Sequence, residues 1–324
     1  MAPFAPSNVL IFGGTGTIGS YITASLLRAQ PPPYKTLTLF TSPTSAASKA
    51  AQLAKWKAAG LRVVVGDLTS EHDVATAYAS GDIDTVVSAV GRGGLQLQIP
   101  LLRLAEAAGT VRWFLPSEFG TDIEHNADTS PFEKPHQLKL EVRRYVREEV
   151  RRVQVTYVVT GPYFDMWVGL MPGAERAGGF DVEKRRAYVL GDGEGKVGFC
   201  TMWDVGKFVV ATLRHPEASF GKALKVQSFV VSPNQVVAEF ERQTGEKWDV
   251  TYTSLDEIRV LEAKAWEQGS PVATGFTLRR IWAKGGTLYE KNDNEVLGLG
   301  SDDLDSLEVG VARGLVGAWK SETF

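Results

Sequence analysis

The chain has 324 residues, 44% hydrophobic and 23% charged, with a formal net charge of -3; this balance excludes a disordered, fibrous or membrane-embedded chain and suits one large α/β body with a smaller lobe. Acidic and basic residues are interleaved, so no electropositive field is available for a phosphate backbone and nucleic acid is not an expected partner. Cys200 is the single cysteine, which leaves no intramolecular disulfide and no thiol cluster for a metal; no metal is expected, and a reducing, cytoplasmic setting fits.

Residues 1–8 contain two prolines and no basic region followed by a long apolar run, so they do not read as a secretory signal. No later stretch reaches the ~18 uninterrupted apolar residues of a membrane span. From residue 8, Asn-Val-Leu-Ile-Phe predicts a buried strand that breaks into Gly13-Gly14-Thr15-Gly16-Thr17-Ile18-Gly19. Ile18, Ile22 and Leu26 recur every four residues and predict a helix that ends before Pro31, Pro32 and Pro33. A strand at 37–40 completes a β-α-β unit, and the polar, small-residue stretch 41–51 reads as a surface loop. Further strands are predicted at 61–65, 85–90, 111–116 and 153–159, separated by segments of helical period. Such alternation predicts a doubly wound α/β fold of the Rossmann type, its parallel sheet covered on both faces. Beyond Gly161 the alternation loosens. The expected division is a dinucleotide-binding domain over 1–160 and, over 161–324, mainly a substrate lobe with some segments returning to the sheet.

Gly13-x-x-Gly16-x-x-Gly19 stands between a predicted strand and helix, the context in which such a motif has physical meaning. The first glycine permits a tight turn, the second lets backbone approach a pyrophosphate, the third lets helix and strand pack closely, and free amides at the helix start attract the anion. Thr15, Thr17 and Ile18 complete this loop. After the second strand an NAD site commonly carries a carboxylate; here Thr41, Ser42 and Lys49 offer small donors and a cation for a 2′-phosphate, which favours NADPH. Asp67 and Leu68 follow the third strand, and Ser88, Ala89 and Val90 end the fourth, all at the carboxyl edge where open α/β sheets bind ligands. Asp67 reads equally as facing an adenine and as capping a turn.

The run Val-Arg-Trp-Phe-Leu-Pro-Ser-Glu-Phe-Gly at 111–120 resembles the RFxPSEFG signature of the isoflavone, pinoresinol-lariciresinol and phenylcoumaran benzylic ether reductases, in the NmrA-like branch of the atypical short-chain dehydrogenases. The resemblance implies an NADPH-dependent reductase that transfers hydride to a conjugated alkene, imine or carbonyl of a small aromatic or polyketide-like metabolite. It places Gln98, Ser117, Glu118 and Phe119 at the cofactor and gives Lys139 the part of general acid/base or anchor beside the nicotinamide. Read from its neighbours alone, Lys139 lies beside a predicted stripe of Leu138, Val142, Tyr145 and Val146, where desolvation lowers a lysine pKa but where a snorkelling lysine is also at home.

Pro135 stands four residues before Lys139, so the Tyr-x-x-x-Lys pair of typical short-chain dehydrogenases is absent. His136, three residues before Lys139, reads as a proton relay or as a solvent-exposed helix-start residue. Gly161, Pro162 and Tyr163 occupy the turn after the sixth strand, where the family implies cofactor contacts. Phe164 and Trp167 read as the apolar wall of a substrate pocket or as core packing. A small-molecule substrate and a monomer or homodimer are expected. The competing reading is an NmrA-like regulator that senses NADP without turning it over; Lys139 favours the enzyme.

Overall fold

The computed structural model describes residues 4–125 and 132–317; residues 1–3 of the segment read above for a targeting signal lie outside them. The first half alternates strand and helix: β1 (Asn8–Phe12), α1 (Thr17–Arg28), β2 (Thr36–Thr41), α2 (Pro43–Ser48), α3 (Ala50–Ala58), β3 (Arg62–Val65), α4 (Glu71–Ser80), β4 (Thr85–Ser88), α5 (Gln98–Ala108), β5 (Trp113–Leu115), α6 (Lys134–Glu149) and β6 (Gln154–Val155). The strands form one parallel sheet in the order β3-β2-β1-β4-β5-β6. β1 shows why a continuous apolar run is needed. Val9 and Ile11 enter the core on one face, Leu10 and Phe12 the core on the other, and all four are fully buried.

The stretch 41–51 is not the loop its composition suggests. Ser42 accepts the Ser45 amide hydrogen at 3.1 Å and caps α2, Pro43 takes the first helical turn, and α3 follows at Ala50. A capping serine followed by proline outweighs low hydrophobicity.

The second half continues with β7 (Tyr157–Val159), α7 (Phe164–Trp167), β8 (Gly179–Asp181), β9 (Arg186–Leu190), β10 (Val197–Phe199), α8 (Met202–Arg214), α9 (Pro216–Ser219), β11 (Ala223–Lys225), β12 (Phe229–Val231), α10 (Pro233–Thr244), β13 (Asp249–Thr253), α11 (Leu255–Glu267), α12 (Ala273–Ala283) and α13 (Leu307–Val316). The strand read as continuous over 153–159 is divided at Thr156: β6 pairs with β5, and β7 pairs in parallel with β11. α8 packs along α1, where a Cβ on Gly206 would lie 2.1 Å from the Ser25 Oγ. Away from the large sheet, β13-β9-β8 and β10-β12 surround a separate aromatic core that includes Phe164, Phe199 and Phe240. No helix among the described residues is long and apolar enough to cross a membrane.

Candidate functional site

Six parallel strands deliver their following loops to one edge, and the strand order reverses between β1 and β4. That switch point opens a crevice. Gly13 lies there in the left-handed region at φ +71°, and a Cβ on it would meet the Ala89 carbonyl oxygen at 2.4 Å. Gly19 packs α1 onto the loop, with a hypothetical Cβ 2.1 Å from the Gly13 oxygen. Gly16 differs: it is exposed, it flanks the start of α1 without a capping side chain, and its Cβ would meet the Gly13 oxygen at 3.2 Å. Thr15, Thr17 and Ile18 retain exposure in the same loop. The first and third glycines are thus demanded by packing inside the chain, whereas the second leaves room on its outer side.

Toward the sheet's β3 edge, Thr41 is buried, Ser42 caps α2, and Lys49 is exposed at the α2–α3 junction. Asp67 accepts the Thr69 amide and hydroxyl hydrogens at 2.8 Å each, while its own amide donates to Asp73. These bonds hold the Asp67 carboxyl below its ordinary range, so its turn-capping part is realised. Leu68 packs against the core beneath.

At the centre, Ser88, Ala89 and Val90 are buried. The Ser117 amide donates to the Gln98 Oε1 at 2.5 Å, and the Ser117 hydroxyl donates to the Val90 carbonyl at 2.9 Å. This ties the ends of β4 and β5 together. The Ser88 Oγ and Gln98 Nε2 are buried without a hydrogen-bond partner among the described residues, an arrangement that suits a polar ligand at this edge.

Lys139 is half-buried on α6, and its Nζ donates to the Glu118 carbonyl at 2.9 Å. Burial pushes its pKa down, Glu118 opposes the shift, and Arg143 and Arg92 add to it. Two ammonium hydrogens have no hydrogen-bond partner among the described residues. The expected stripe is only partly apolar. Val142 is buried and Leu138, Tyr145 and Val146 are partly so, but His136 and Arg143 share the buried face. His136 is therefore not a solvent-exposed helix-start residue, and burial, with Lys139 and Arg92 nearby, pulls its pKa down to about 3.

Glu118 corrects a second expectation. Its carboxylate is fully buried against Arg143, 3.0 Å away, and Arg143 also contacts Asp122 at 2.9 Å and Glu124 at 3.0 Å. Burial opposes the Arg143 charge, but attraction to these carboxylates holds its pKa above the ordinary value. Glu118 reaches the site through its carbonyl. Phe119 offers its carbonyl to the Tyr163 hydroxyl, and Gly161, left-handed at φ +63°, donates its amide to the Gly120 carbonyl at 2.9 Å. Pro162 accepts from the Cys200 amide at 3.2 Å. The loops after β5 and β7 are thereby joined.

Phe164 does not line a pocket. It is fully enclosed, edge-on to Phe199 and Phe229, because α7 turns its side chain into the second core. Trp167 belongs to that core and also borders a cleft. Arg143, Arg92 and Glu133 were not singled out from sequence. Arg92 pairs with the buried Glu133 at the start of α6, and the Thr274 hydroxyl of α12 donates to the same carboxylate at 2.7 Å. Only the Lys139-x-x-x-Arg143 spacing hinted that both cations share one helix face.

The chain is 27% identical over 254 residues to the phenylcoumaran benzylic ether reductase Pyrc5 of Pyrus communis, with 78% of this chain and 79% of that protein covered. It is equally 27% identical over 263 residues to an isoflavone reductase of Pisum sativum, covering 78% and 80%. Among solved structures, the leucoanthocyanidin reductase–NADPH complex from Vitis vinifera superposes with a TM-score of 0.79 at 21% identity, over 95% of this chain and 99% of that one. An NADPH-dependent quinone oxidoreductase of Escherichia coli gives 0.66 at 18% identity, over 94% and 98%. These superpositions establish the shared fold. With the NmrA-like family model matching residues 5–268, the chain belongs to the NmrA-like family.

Proposed function

We propose that the protein is an NADPH-dependent reductase whose proton donor is Lys139, acting on a conjugated alkene, imine or carbonyl of a small aromatic or polyketide-like metabolite. The observation that carries this reading is Lys139 at the crevice, anchored on the Glu118 carbonyl at 2.9 Å with its pKa lowered by burial. The relatives named as reductases support it. The residues present fit a dinucleotide. Gly16 and the uncapped start of α1 accept a pyrophosphate; Thr41, Ser42 and Lys49 suit a 2′-phosphate; and the unpartnered Gln98 Nε2 and Ser88 Oγ supply polar groups at the switch point. Bound there, NADPH supplies the hydride.

The chain's own contribution is a proton and a fixed geometry. The Glu118 carbonyl orients the Lys139 ammonium, and Arg143 fixes Glu118 in turn. His136 stays neutral at physiological pH, so it serves Lys139 as an uncharged neighbour and not as a cationic acid. Calorimetric titration should give tighter binding of NADPH than NADH, and Lys49→Ala should weaken NADPH alone. NADPH oxidation should appear with a member of a panel of enones, isoflavones, quinones and aryl ketones. Equal cofactor affinities would remove the 2′-phosphate assignment, and NADPH binding without turnover across the panel would favour a sensor over an enzyme.

A further inference from the structure

Arg279, on α12, is buried at 4% exposure, and no carboxylate among the described residues pairs with it. Its Nη2 donates to the Trp167 carbonyl at 2.6 Å, while its guanidinium lies 5.0 Å from the Trp167 ring centre and 6.0 Å from that of Trp282. Its Nη1 is buried with no hydrogen-bond partner. The other deeply buried guanidinium described above, Arg143, has carboxylates around it. Two indole faces offset part of the cost of burying a cation, but they leave the Nη1 donor unmet.

Arg279 forms part of the wall of a cleft between β9, β10 and α12, together with Trp167, Tyr188, Val189, Pro233 and Trp282. Counting the solvent at its mouth, the cleft spans about 380 Å³ of empty space, little of it fully enclosed. Gly178 also borders it, and a Cβ there would lie 3.6 Å from Nη1, so the nitrogen lies directly behind this side-chain-free stretch of the wall. Burial lowers the Arg279 pKa to about 9, which leaves it charged at neutral pH.

We infer that this cleft is a binding site for a small organic carboxylate, whose anionic head meets Arg279 and whose apolar body lies against the tryptophan and aliphatic walls. A guanidinium with an unpartnered donor and no carboxylate beside it is matched to a carboxylate in charge and geometry, and the aromatic lining selects an organic acid over a hydrated inorganic ion. The inference does not depend on the reductase reading, because binding alone tests it.

The probe is benzoate, with benzamide as its neutral counterpart of similar shape, each titrated calorimetrically into the full chain. Benzoate should bind at least about tenfold more tightly than benzamide, the factor that a single charge-assisted hydrogen bond supplies. Arg279→Met should bring benzoate down to the benzamide level. Equal affinities in the wild type, no detectable benzoate binding, or unchanged benzoate affinity in Arg279→Met would each overturn the site. Chloride that competes as well as benzoate at equal concentration would overturn the carboxylate assignment. Should Arg279→Met fail to fold, Arg279→Lys takes its place: it keeps the charge but loses the planar fork, so benzoate should weaken several-fold, and wild-type affinity in that variant overturns the proposal.

Discussion

Lys139 holds the Glu118 carbonyl and, in the proposed reaction, delivers a proton, and substitution separates the two tasks. Lys139→Ala should lower kcat by about 10²–10⁴-fold, the usual loss with a general acid, while NADPH affinity changes far less. Lys139→Arg can still donate to the carbonyl but cannot release its proton, so it should not restore turnover; single-turnover kinetics on an identified substrate reads both, and near-normal rates in Ala would exclude Lys139 from the chemistry. Because burial lowers the Lys139 pKa, the rate should fall with rising pH at a pH below that of an ordinary lysine. His136 makes a separate prediction about stability. Its folded pKa of about 3 lies under the unfolded value near 6.5, so the unfolded state takes up the proton first. The stability it contributes is present above about pH 6.5 and is lost as pH falls toward 3, by a few kcal/mol. In His136→Gln, denaturation across that range should show a correspondingly flatter pH dependence than the wild type, and identical slopes would mean that the histidine is not buried neutral.

Within elements, the glycine loop contains two kinds of glycine that sequence alone does not tell apart. Gly19→Ala places a Cβ 2.1 Å from the Gly13 oxygen and should cost about 1–3 kcal/mol through overpacking, visible in denaturant midpoints without any ligand. Gly16→Val should leave the fold intact and abolish NADPH binding, since its outer side is where backbone must approach a phosphate; a folded Gly16→Val that binds NADPH normally would move the phosphate site elsewhere. The strands and this loop were legible because their signals are local: apolar runs, glycine spacing and the helix period all lie within about a dozen residues. The buried part of α6 was not. Its hydrophobic stripe predicts leucines and valines inward, yet Arg143 occupies the interior because Glu118 and Asp122, more than twenty positions earlier, fold back to neutralise it. A charge that is inward-facing only by virtue of a distant partner leaves no periodic trace. Phe164 shows the reverse: an aromatic beside a predicted site reads equally as pocket wall and as core packing, and only the distant Phe199 and Phe229, which enclose it, decide for the core.

At the scale of the whole molecule, α12 bridges the second half to the crevice. Thr274 near its start donates to Glu133 at 2.7 Å, Arg279 to the Trp167 carbonyl, and Trp282 near its end to the Thr121 hydroxyl at 2.8 Å. Glu133 is fully buried and is also held by Arg92 from the segment after β4, so one carboxylate joins the sheet edge, α6 and α12. Thr274→Val keeps the side-chain shape and removes the hydrogen bond to Glu133, worth about 1.5–3 kcal/mol, together with the long 3.4 Å one accepted from Arg92, while Arg92 still neutralises Glu133. If the clasp acts locally, amide exchange in α12 should accelerate by about tenfold or more, since each ~1.4 kcal/mol of lost opening free energy is one decade. The amides of β1 and β4, whose protection depends on the two sheet cores, should exchange as before. Adding Trp282→Phe removes the bond to Thr121 and should raise α12 exchange again, with the two effects adding because the anchors share no partner. Equal acceleration in β1 and β4 would show that α12 and the sheet open as one cooperative unit, and no acceleration in α12 would show that its packing on α11, through the contacts of Thr277 and Arg280 with Glu262, suffices to hold it closed.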